Sequence, residues 1–248
     1  MSACLRTVVT GCSGALGDAV CQALLRRGDR VVGLDRTPSG REGMSFLPFD
    51  LGDADSVTGA VRQANEQLGG IDALVHAAGV MWTSNFLDTT EADLRGHLDV
   101  NLIGAFRVVR DVARCMVDAE ASGHGRGGRI VLVTSLHGRI GVPQRSAYAA
   151  SKGALEALGR VAAAELAQHR IRVNMLAPGA VDGGMQPNPG SRAHWIDATP
   201  IHRVATTQEV GRAAALLTSD DASFITGQTI AIDGGVTNLR PFGLPSGV

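Results

Sequence analysis

Short apolar runs rich in β-branched residues alternate along this chain with longer segments in which apolar positions recur at helical spacing. The short runs predict seven strands, at residues 5–10, 30–34, 45–49, 71–75, 129–134, 171–176 and 228–232. The longer segments predict helices, ending near residue 27, at 53–68, 98–119 and 209–218, and opening near residue 146. Because strands and helices alternate and no linker composition divides the chain, residues 1–248 are expected to form one doubly wound α/β domain around a parallel sheet.

Two segments stand outside this alternation. Residues 182–203 show little periodicity and contain several prolines and glycines, which predicts a mobile flap over a site. Residues 236–248 form a tail after the last predicted strand, with Pro241 and Pro245.

Composition narrows the possible functions. The 248 residues are 44% hydrophobic and 19% charged, with a formal net charge of -1, which is typical of a globular protein with a substantial core. This charge argues against nucleic acid or an anionic membrane surface as the main partner. No run approaches 18 apolar residues, and the N-terminus begins with a strand-like run, so neither a transmembrane helix nor a signal peptide is expected.

The cysteines and histidines suggest no metal or disulfide chemistry. The 4 cysteines lack CxxC spacing and a disulfide framework, so they are expected to be reduced core thiols in a cytoplasmic protein. The 7 histidines are scattered and form no HExxH motif, so no catalytic metal is expected.

A glycine-rich loop joins the first predicted strand to the first predicted helix. Gly11 can make the tight turn and let a pyrophosphate approach the backbone, and Gly17 lets the helix pack close to the strand. The unpaired N–H groups of the helix N-terminus would then face the phosphates. A glycine-rich turn without any ligand is the alternative.

An acidic residue follows the second predicted strand. Asp35 comes 18 residues after Gly17, close to the ~20 expected for the acid that holds the adenosine ribose diol. Its carboxylate repels a 2′-phosphate and so favours NAD over NADP. Arg36 could pair with such a phosphate, but the glycine loop contributes no basic residue to help it.

Tyr148 and Lys152 lie four residues apart at the opening of a predicted helix, on one face and one turn from each other. A phenol has a pKa near ~10, and a neighbouring ammonium stabilises the phenolate. Ser135 follows the fifth predicted strand, at the sheet edge where ligands of parallel sheets bind. A solvated helix pair is the alternative reading of Tyr148 and Lys152. A fourth polar residue, Asn101, interrupts an apolar helical register, and a capping or kink residue would explain it equally well.

Taken together, these motifs resemble those of the short-chain dehydrogenase/reductase family, in its single-domain branch of about 250 residues. Residues 10–17 resemble its TGxxxGxG loop, with Ala15 in place of the middle glycine. The family's catalytic tetrad is matched, in chain order, by Asn101, Ser135, Tyr148 and Lys152. The segment that borders the nicotinamide is matched by Pro178 and Gly179, and the resemblance extends over residues 10–235. It implies a Rossmann-type, NAD(P)-binding fold with a sheet of about seven strands and helices on both faces.

The resemblance also implies a chemistry, which is hydride transfer between a nicotinamide cofactor and a carbonyl–alcohol pair. Tyr148 would give or take the hydroxyl proton, and Lys152 would lower the pKa of Tyr148 and hold the nicotinamide ribose. Ser135 would anchor the substrate oxygen, and Asn101 would keep a water between Lys152 and solvent. The cofactor contacts implied are Gly11, Ser13, Gly14, Ala15, Leu16, Gly17, Asp35, Arg36, Asp50, Leu51, Ala77, Ala78, Gly79, Tyr148, Lys152, Pro178, Gly179 and Val181.

The sequence departs from the family pattern at two places. His76-Ala-Ala-Gly79 replaces NNAG after the fourth strand, where local repacking is expected. Gly183 replaces the threonine that contacts the carboxamide, which leaves backbone groups near Val181 to hold the nicotinamide.

Residues around Ser135 and in the flap are candidates for the substrate pocket. They are His137, Val142, Gln144, Met185 and Trp195, with Ser135 itself. His137 and Gln144 could hydrogen-bond a polar substrate such as a sugar, a polyol or a hydroxy acid, or could be structural or exposed. The family resemblance implies a homotetramer, with a homodimer as the alternative, and a neighbouring subunit is a candidate contact for the tail.

Three functional hypotheses follow. The leading one is an NAD(H)-dependent alcohol dehydrogenase or ketone reductase for a small, polar secondary alcohol. The second is an NADPH-dependent 3-oxoacyl-thioester (acyl carrier protein) reductase, against which Asp35 argues. The third is a nicotinamide-sensing protein without catalysis, against which the intact tetrad argues.

Overall fold

The apolar, β-branched runs form a single parallel sheet of seven strands in the computed structural model, which describes residues 4–185 and 191–239. The strands are β1 (Arg6–Thr10), β2 (Arg30–Asp35), β3 (Ser45–Pro48), β4 (Ala73–His76), β5 (Gly128–Val133), β6 (Ile171–Pro178) and β7 (Thr229–Ile232). Their order is β3-β2-β1-β4-β5-β6-β7, with every pair parallel. The chain order reverses between β1 and β4, and the crevice at such a reversal is where doubly wound folds bind ligands.

Helices cover both faces of the sheet. They are α1 (Ala15–Arg27), α2 (Ala54–Leu68), α3 (Glu91–Leu98), α4 (Ala105–Ala121), α5 (Ser146–Leu166), α6 (Ser191–Ala198) and α7 (Thr207–Thr218). Adjacent β1 residues serve opposite faces because side chains alternate along a strand. Val8 packs in the core with α2, α4 and α5, and Val9 packs in the core with α1 and α7. The predicted single doubly wound domain is therefore confirmed.

Local chemistry explains where several helices begin and end. The Asp53 carboxylate accepts hydrogen bonds from the backbone N–H groups of Asp55 and Ser56, which caps the start of α2. Gly28 and Gly69 end α1 and α2 in the left-handed conformation, with φ of 96° and 70°.

The chain is helical over the predicted range 98–119, but a change of helix type near its N-terminal end was not predicted. Regular α-helix resumes only at Ala105, and the preceding segment Asp99–Gly104 is a π-helix that continues from α3. The reason is tertiary, because the Asn101 side chain in this segment is hydrogen-bonded to the backbone of Val80. Such π-helical insertions are frequent at functional sites.

The range predicted as a flap contains one helix that its low periodicity did not predict. Residues 191–198 form α6, and its Trp195 is buried. Residues 186–190 of the flap and 240–248 of the tail, with Pro241 and Pro245, lie outside the described residues. None of the helices in the described parts of the chain is long and apolar enough to span a membrane.

Candidate active site

A cavity of about 460 Å³ opens at the carboxyl ends of β1, β2 and β4. Most of the predicted cofactor contacts line it: Gly11, Ser13, Gly14, Ala15, Leu16, Gly17, Asp35, Arg36, Asp50, Leu51, Ala77, Ala78 and Gly79. Residues separated by up to 68 positions in sequence (from Gly11 to Gly79) thus share one wall. Thr37, Phe49 and Val100 also line this cavity and were not predicted.

The glycine loop leaves no room for side chains. Gly11 has φ +73°, and a Cβ on it would lie 2.7 Å from the backbone nitrogen of Ala78. A Cβ on Gly17 would overlap the carbonyl oxygen of Gly11. Gly14, the residue before α1, provides no side-chain cap for the first N–H groups of that helix. Bare backbone donors at a helix N-terminus fit the pyrophosphate of a dinucleotide.

Asp35 is held at the end of β2 by two backbone donors. Its carboxylate accepts hydrogen bonds from the N–H of Ser13 at 3.0 Å and of Arg36 at 2.7 Å. The acid is therefore tied to the glycine loop, in the place where a ribose diol would be read. The Arg36 side chain is exposed.

Tyr148 and Lys152 are both buried on α5, with exposed fractions of 6% and 3%. The Lys152 Nζ lies 5.8 Å from the centre of the Tyr148 ring and donates a hydrogen bond to the Val133 carbonyl at 3.0 Å. Burial lowers the pKa of Lys152 to about 8.

The pKa of Tyr148 differs from the expectation that Lys152 would lower it. Burial raises this pKa, and the groups that act against burial are the Ser135 hydroxyl, by hydrogen bonding, and the positive charge of Arg145. Arg145, which was not predicted to be part of the site, therefore contributes to stabilising the phenolate form of Tyr148.

Asn101 is fully buried, and its side chain is hydrogen-bonded to Val80 and Ser151. Its Nδ2 donates to the Val80 carbonyl at 2.9 Å and to the Ser151 hydroxyl at 3.0 Å, and its Oδ1 accepts from the Val80 N–H at 2.8 Å. Asn101 and Lys152 both approach Gly79. A Cβ added to Gly79 would lie 3.0 Å from the Asn101 Oδ1 and 3.4 Å from the Lys152 Nζ, so the two side chains are close to each other.

A second cavity, of about 520 Å³, adjoins the first. Leu16, Gly184 and Met185 line both. All the predicted substrate residues line this second cavity: Ser135, His137, Val142, Gln144, Met185 and Trp195. Four predicted cofactor contacts also line it: Tyr148, Pro178, Gly179 and Val181.

Ser135 and His137 form a local pair in this second cavity. The Ser135 hydroxyl accepts a hydrogen bond from the His137 N–H at 3.2 Å and lies 3.1 Å from its Nδ1. Burial and the charge of Arg145 lower the pKa of His137 to about 4, so this imidazole is neutral at pH 7. Gln144 is exposed, and its amide donates to the Asn85 side chain at 3.1 Å.

Comparison with known proteins decides the family. Residues 11–237 match the family model described as Enoyl-(Acyl carrier protein) reductase. The fold superimposes on a short-chain type dehydrogenase/reductase from Mycobacterium marinum with a TM-score of 0.87 and 32% identity, over 94% of this chain and 95% of that one. The chain belongs to the short-chain dehydrogenase/reductase family. Its members are oxidoreductases that use NAD(P).

This short-chain dehydrogenase/reductase also resembles two enzymes of sugar metabolism. It is 35% identical to galactitol 2-dehydrogenase (L-tagatose-forming) of Cereibacter sphaeroides, covering 92% of this chain and 93% of that enzyme. Its fold matches aldohexose dehydrogenase of Thermoplasma acidophilum with a TM-score of 0.87 and 26% identity, over 98% of both chains.

Several polar residues in or beside the site were assigned no role from sequence, among them a histidine that precedes the cavity-lining Ala77 and two residues of the second cavity. His76, in the altered NNAG segment, lies in β4 with its Nδ1 2.9 Å from the Thr10 hydroxyl, and burial lowers its pKa to about 3. Arg145 and His194 line the second cavity. The only sequence signal for Arg145 is its position three residues before Tyr148, which places it near the tyrosine when a helix begins there.

Proposed function

We propose that this protein is an NAD(H)-dependent oxidoreductase that interconverts a secondary alcohol and the corresponding ketone. The observation that carries the proposal is the position of Tyr148 and Ser135 in a cavity that adjoins the glycine-loop cavity. A cofactor bound along the glycine loop would reach the shared wall, where the substrate would meet it. The relatives named as sugar and polyol dehydrogenases support the same reaction class.

In the proposed oxidation, Tyr148 accepts the hydroxyl proton of the substrate as a phenolate. Ser135 donates its hydroxyl proton in a hydrogen bond to the substrate oxygen and holds it near Tyr148. The cofactor, when bound, supplies the acceptor for the hydride. Buried Tyr148 has a raised pKa, so the Ser135 hydroxyl and the Arg145 charge matter because they favour the phenolate.

Lys152 is proposed to hold the nicotinamide ribose and to keep a positive charge beside Tyr148. With a pKa of about 8, most of its side chain is protonated at pH 7. Asn101 is proposed to hold a water that passes protons from Lys152 to solvent. Its π-helical position beside Gly79 and Lys152 supports this.

NAD is proposed as the cofactor because of Asp35. Its carboxylate is fixed by Ser13 and Arg36 in the cavity that would hold the adenosine ribose, where it would repel a 2′-phosphate.

An alternative function is reduction of a 3-oxoacyl thioester with NADPH. The family description, Enoyl-(Acyl carrier protein) reductase, favours acyl thioester chemistry. Comparing kcat/KM for NADPH and NADH separates the two proposals, because preference for NADPH would remove the argument from Asp35.

The test is NADH formation at 340 nm with NAD and a panel of secondary alcohols, sugars, polyols and hydroxy acids, repeated with Tyr148→Phe. We expect the variant to bind NADH with unchanged affinity and to lose at least about 100-fold in kcat, because it lacks the group that exchanges the proton. Normal turnover by Tyr148→Phe would refute the mechanism.

We also propose a cytoplasmic homotetramer. Large apolar side chains are exposed at Phe86, Leu87, Phe106 and Phe224, and contact between copies would bury such surface. All four cysteines are free thiols, two of them buried, as suits a reducing compartment. Mass measurement in solution tests the assembly, and a monomer at micromolar concentration would contradict it.

A further inference from the structure

Arg145 is a cation in the second cavity, and it has no anionic partner among the residues that the structure describes. It immediately precedes α5 and lines the second cavity with Tyr148, which follows one turn later. Its guanidinium makes one long hydrogen bond, 3.4 Å to the Gln144 carbonyl, and its Nε is buried with no acceptor among the described residues. A buried donor of this kind is costly unless something pairs with it.

Two nearby arginines, unlike Arg145, each pair with a carboxylate. Arg139, at the end of the turn that follows Ser135, donates to the Glu156 carboxylate at 3.0 Å. Arg192, at the start of α6, pairs with Asp182 at 2.6 Å. Among the described side chains, no carboxylate perturbs the pKa of Arg145, and the one charge that acts on it is that of Tyr148.

A second polar atom in the same cavity has no hydrogen-bond partner within residues 4–185 and 191–239. It is the buried Nε2 of His137, whose Nδ1 faces the Ser135 hydroxyl. Arg145, His137 and Tyr148 line the same cavity, and the charge of Arg145 acts on the pKa of both other residues. The unpaired polar atoms are thus gathered at the end of the cavity where the reaction would occur.

We propose that Arg145 binds a carboxylate of the substrate, so that the substrate is a short-chain 2- or 3-hydroxy acid or the matching oxo acid. This rests on the proposed function and names its substrate class. A guanidinium pairs with a carboxylate through two parallel N–H donors, which would satisfy the buried Nε. Arg145 and Tyr148 line the same cavity, so one small molecule can place its carboxylate at Arg145 and its carbinol at Tyr148.

The rest of the cavity limits the size and character of the acid. Ile140, Val142 and Trp195 give much of the wall an apolar surface, which suits an alkyl chain better than a row of hydroxyls. In the proposed oxidation the C–H bond of the carbinol carbon breaks, its electron pair leaves with the hydride to NAD, and the hydroxyl proton passes to Tyr148. The products are the oxo acid, NADH and a proton, and the carboxylate is unchanged.

The experiment compares substrates that differ only in charge. We would measure kcat/KM with NAD for 3-hydroxybutyrate against 3-hydroxybutyramide, and for lactate against lactamide, in the wild-type chain and in Arg145→Gln. At least one acid is expected to be preferred over its amide by at least about 100-fold, and the substitution should bring that ratio close to one. Because Arg145 also acts on Tyr148, both members of a pair lose the same factor in kcat, and the ratio isolates carboxylate binding.

Arg114→Gln is the matched control, since it removes an exposed arginine of α4 whose side chain is 70% accessible. It should leave the acid-to-amide ratio unchanged. An unchanged ratio in Arg145→Gln, or a wild-type chain that prefers the amides, would overturn the inference. Turnover of the amides in that case would leave the proposed function standing.

A binding measurement decides the matter if none of these substrates is oxidised. In the presence of NADH, malonate should raise the unfolding temperature of the wild-type chain more than malonamide does, and Arg145→Gln should abolish the difference. Equal effects of malonate and malonamide on the wild-type chain would refute carboxylate recognition. Failure to bind NADH at all would instead count against the proposed function.

Discussion

Replacing Lys152 with methionine should stabilise the protein while it removes activity. Lys152 is the only lysine in the sequence, is 3% exposed and donates a hydrogen bond to the Val133 carbonyl. Burial lowers its pKa from 10.5 to about 8. Each pKa unit is worth about 1.4 kcal/mol, so holding this ammonium in the folded chain at pH 7 costs about 3 kcal/mol.

Methionine has a similar length and no charge to bury. Losing the hydrogen bond to Val133 offsets part of the gain, by about 1 kcal/mol. The net expectation for Lys152→Met at pH 7 is therefore a free energy of unfolding about 2 kcal/mol higher. For a chain of 248 residues this corresponds to a rise of about 4–8 °C in Tm.

The stability gained by Lys152→Met should decrease as pH rises. The folded state binds this proton less tightly than the unfolded state, so the cost is fully present below pH 8 and is relieved as pH rises from about 8 toward 10.5. At pH 9.5 about 1.4 kcal/mol of the cost remains, so the advantage of Lys152→Met should shrink by about 2 kcal/mol between pH 7 and 9.5.

Urea unfolding of both proteins at these two pH values, without cofactor, measures this directly, and the difference between them removes the titration of all other groups. Because the chain has a single lysine, an NMR titration of its side-chain nitrogen reports the folded pKa without any assignment problem. A variant that is less stable than the parent at pH 7, with a gap that does not depend on pH, would show that the ammonium is not destabilised by burial.

Two further predictions concern the cofactor cavity. Asp35→Ala removes the carboxylate that would repel a 2′-phosphate and leaves the exposed Arg36 nearby. The ratio of kcat/KM with NADP to kcat/KM with NAD should therefore rise at least about tenfold. A wild-type protein that already prefers NADP would contradict the proposal that Asp35 selects NAD. Gly17→Ala should weaken NADH binding at least about tenfold and destabilise the chain by about 1–3 kcal/mol, because its Cβ would overlap the Gly11 carbonyl. Gly59→Ala in α2 is the control, since a Cβ there meets nothing within 4 Å and should be neutral or stabilising; equal behaviour of the two alanines in calorimetry would refute the packing argument.

The sequence was informative wherever structure depends on neighbours in the chain. The second strand was predicted at 30–34 and is found at Arg30–Asp35, because a run of valine and leucine favours a buried strand whatever surrounds it. The glycine loop could also be predicted, because the close approach of Gly17 to Gly11 involves residues only six positions apart. The fold class followed from the order of such elements.

Features that depend on distant contacts could not be predicted in the same way. The π-helix around Asn101 arises from its hydrogen bonds to Val80, which lies 21 positions earlier. Helix α6 presents little apolar periodicity, and among its described side chains Trp195 is the buried one. The role inferred for Arg145 depends on the lack of a carboxylate partner in the described part of the fold, which the sequence could not show.

The wall that the two cavities share has a thermodynamic consequence. Leu16, Gly184 and Met185 belong to both cavities, so a ligand that fixes them in one cavity also fixes part of the surface of the other. The free energies of binding of the two ligands are then coupled, and the coupling is the same from either side. A cofactor that orders this wall would raise the affinity for the second ligand. A substrate that orders it would slow the dissociation of the cofactor.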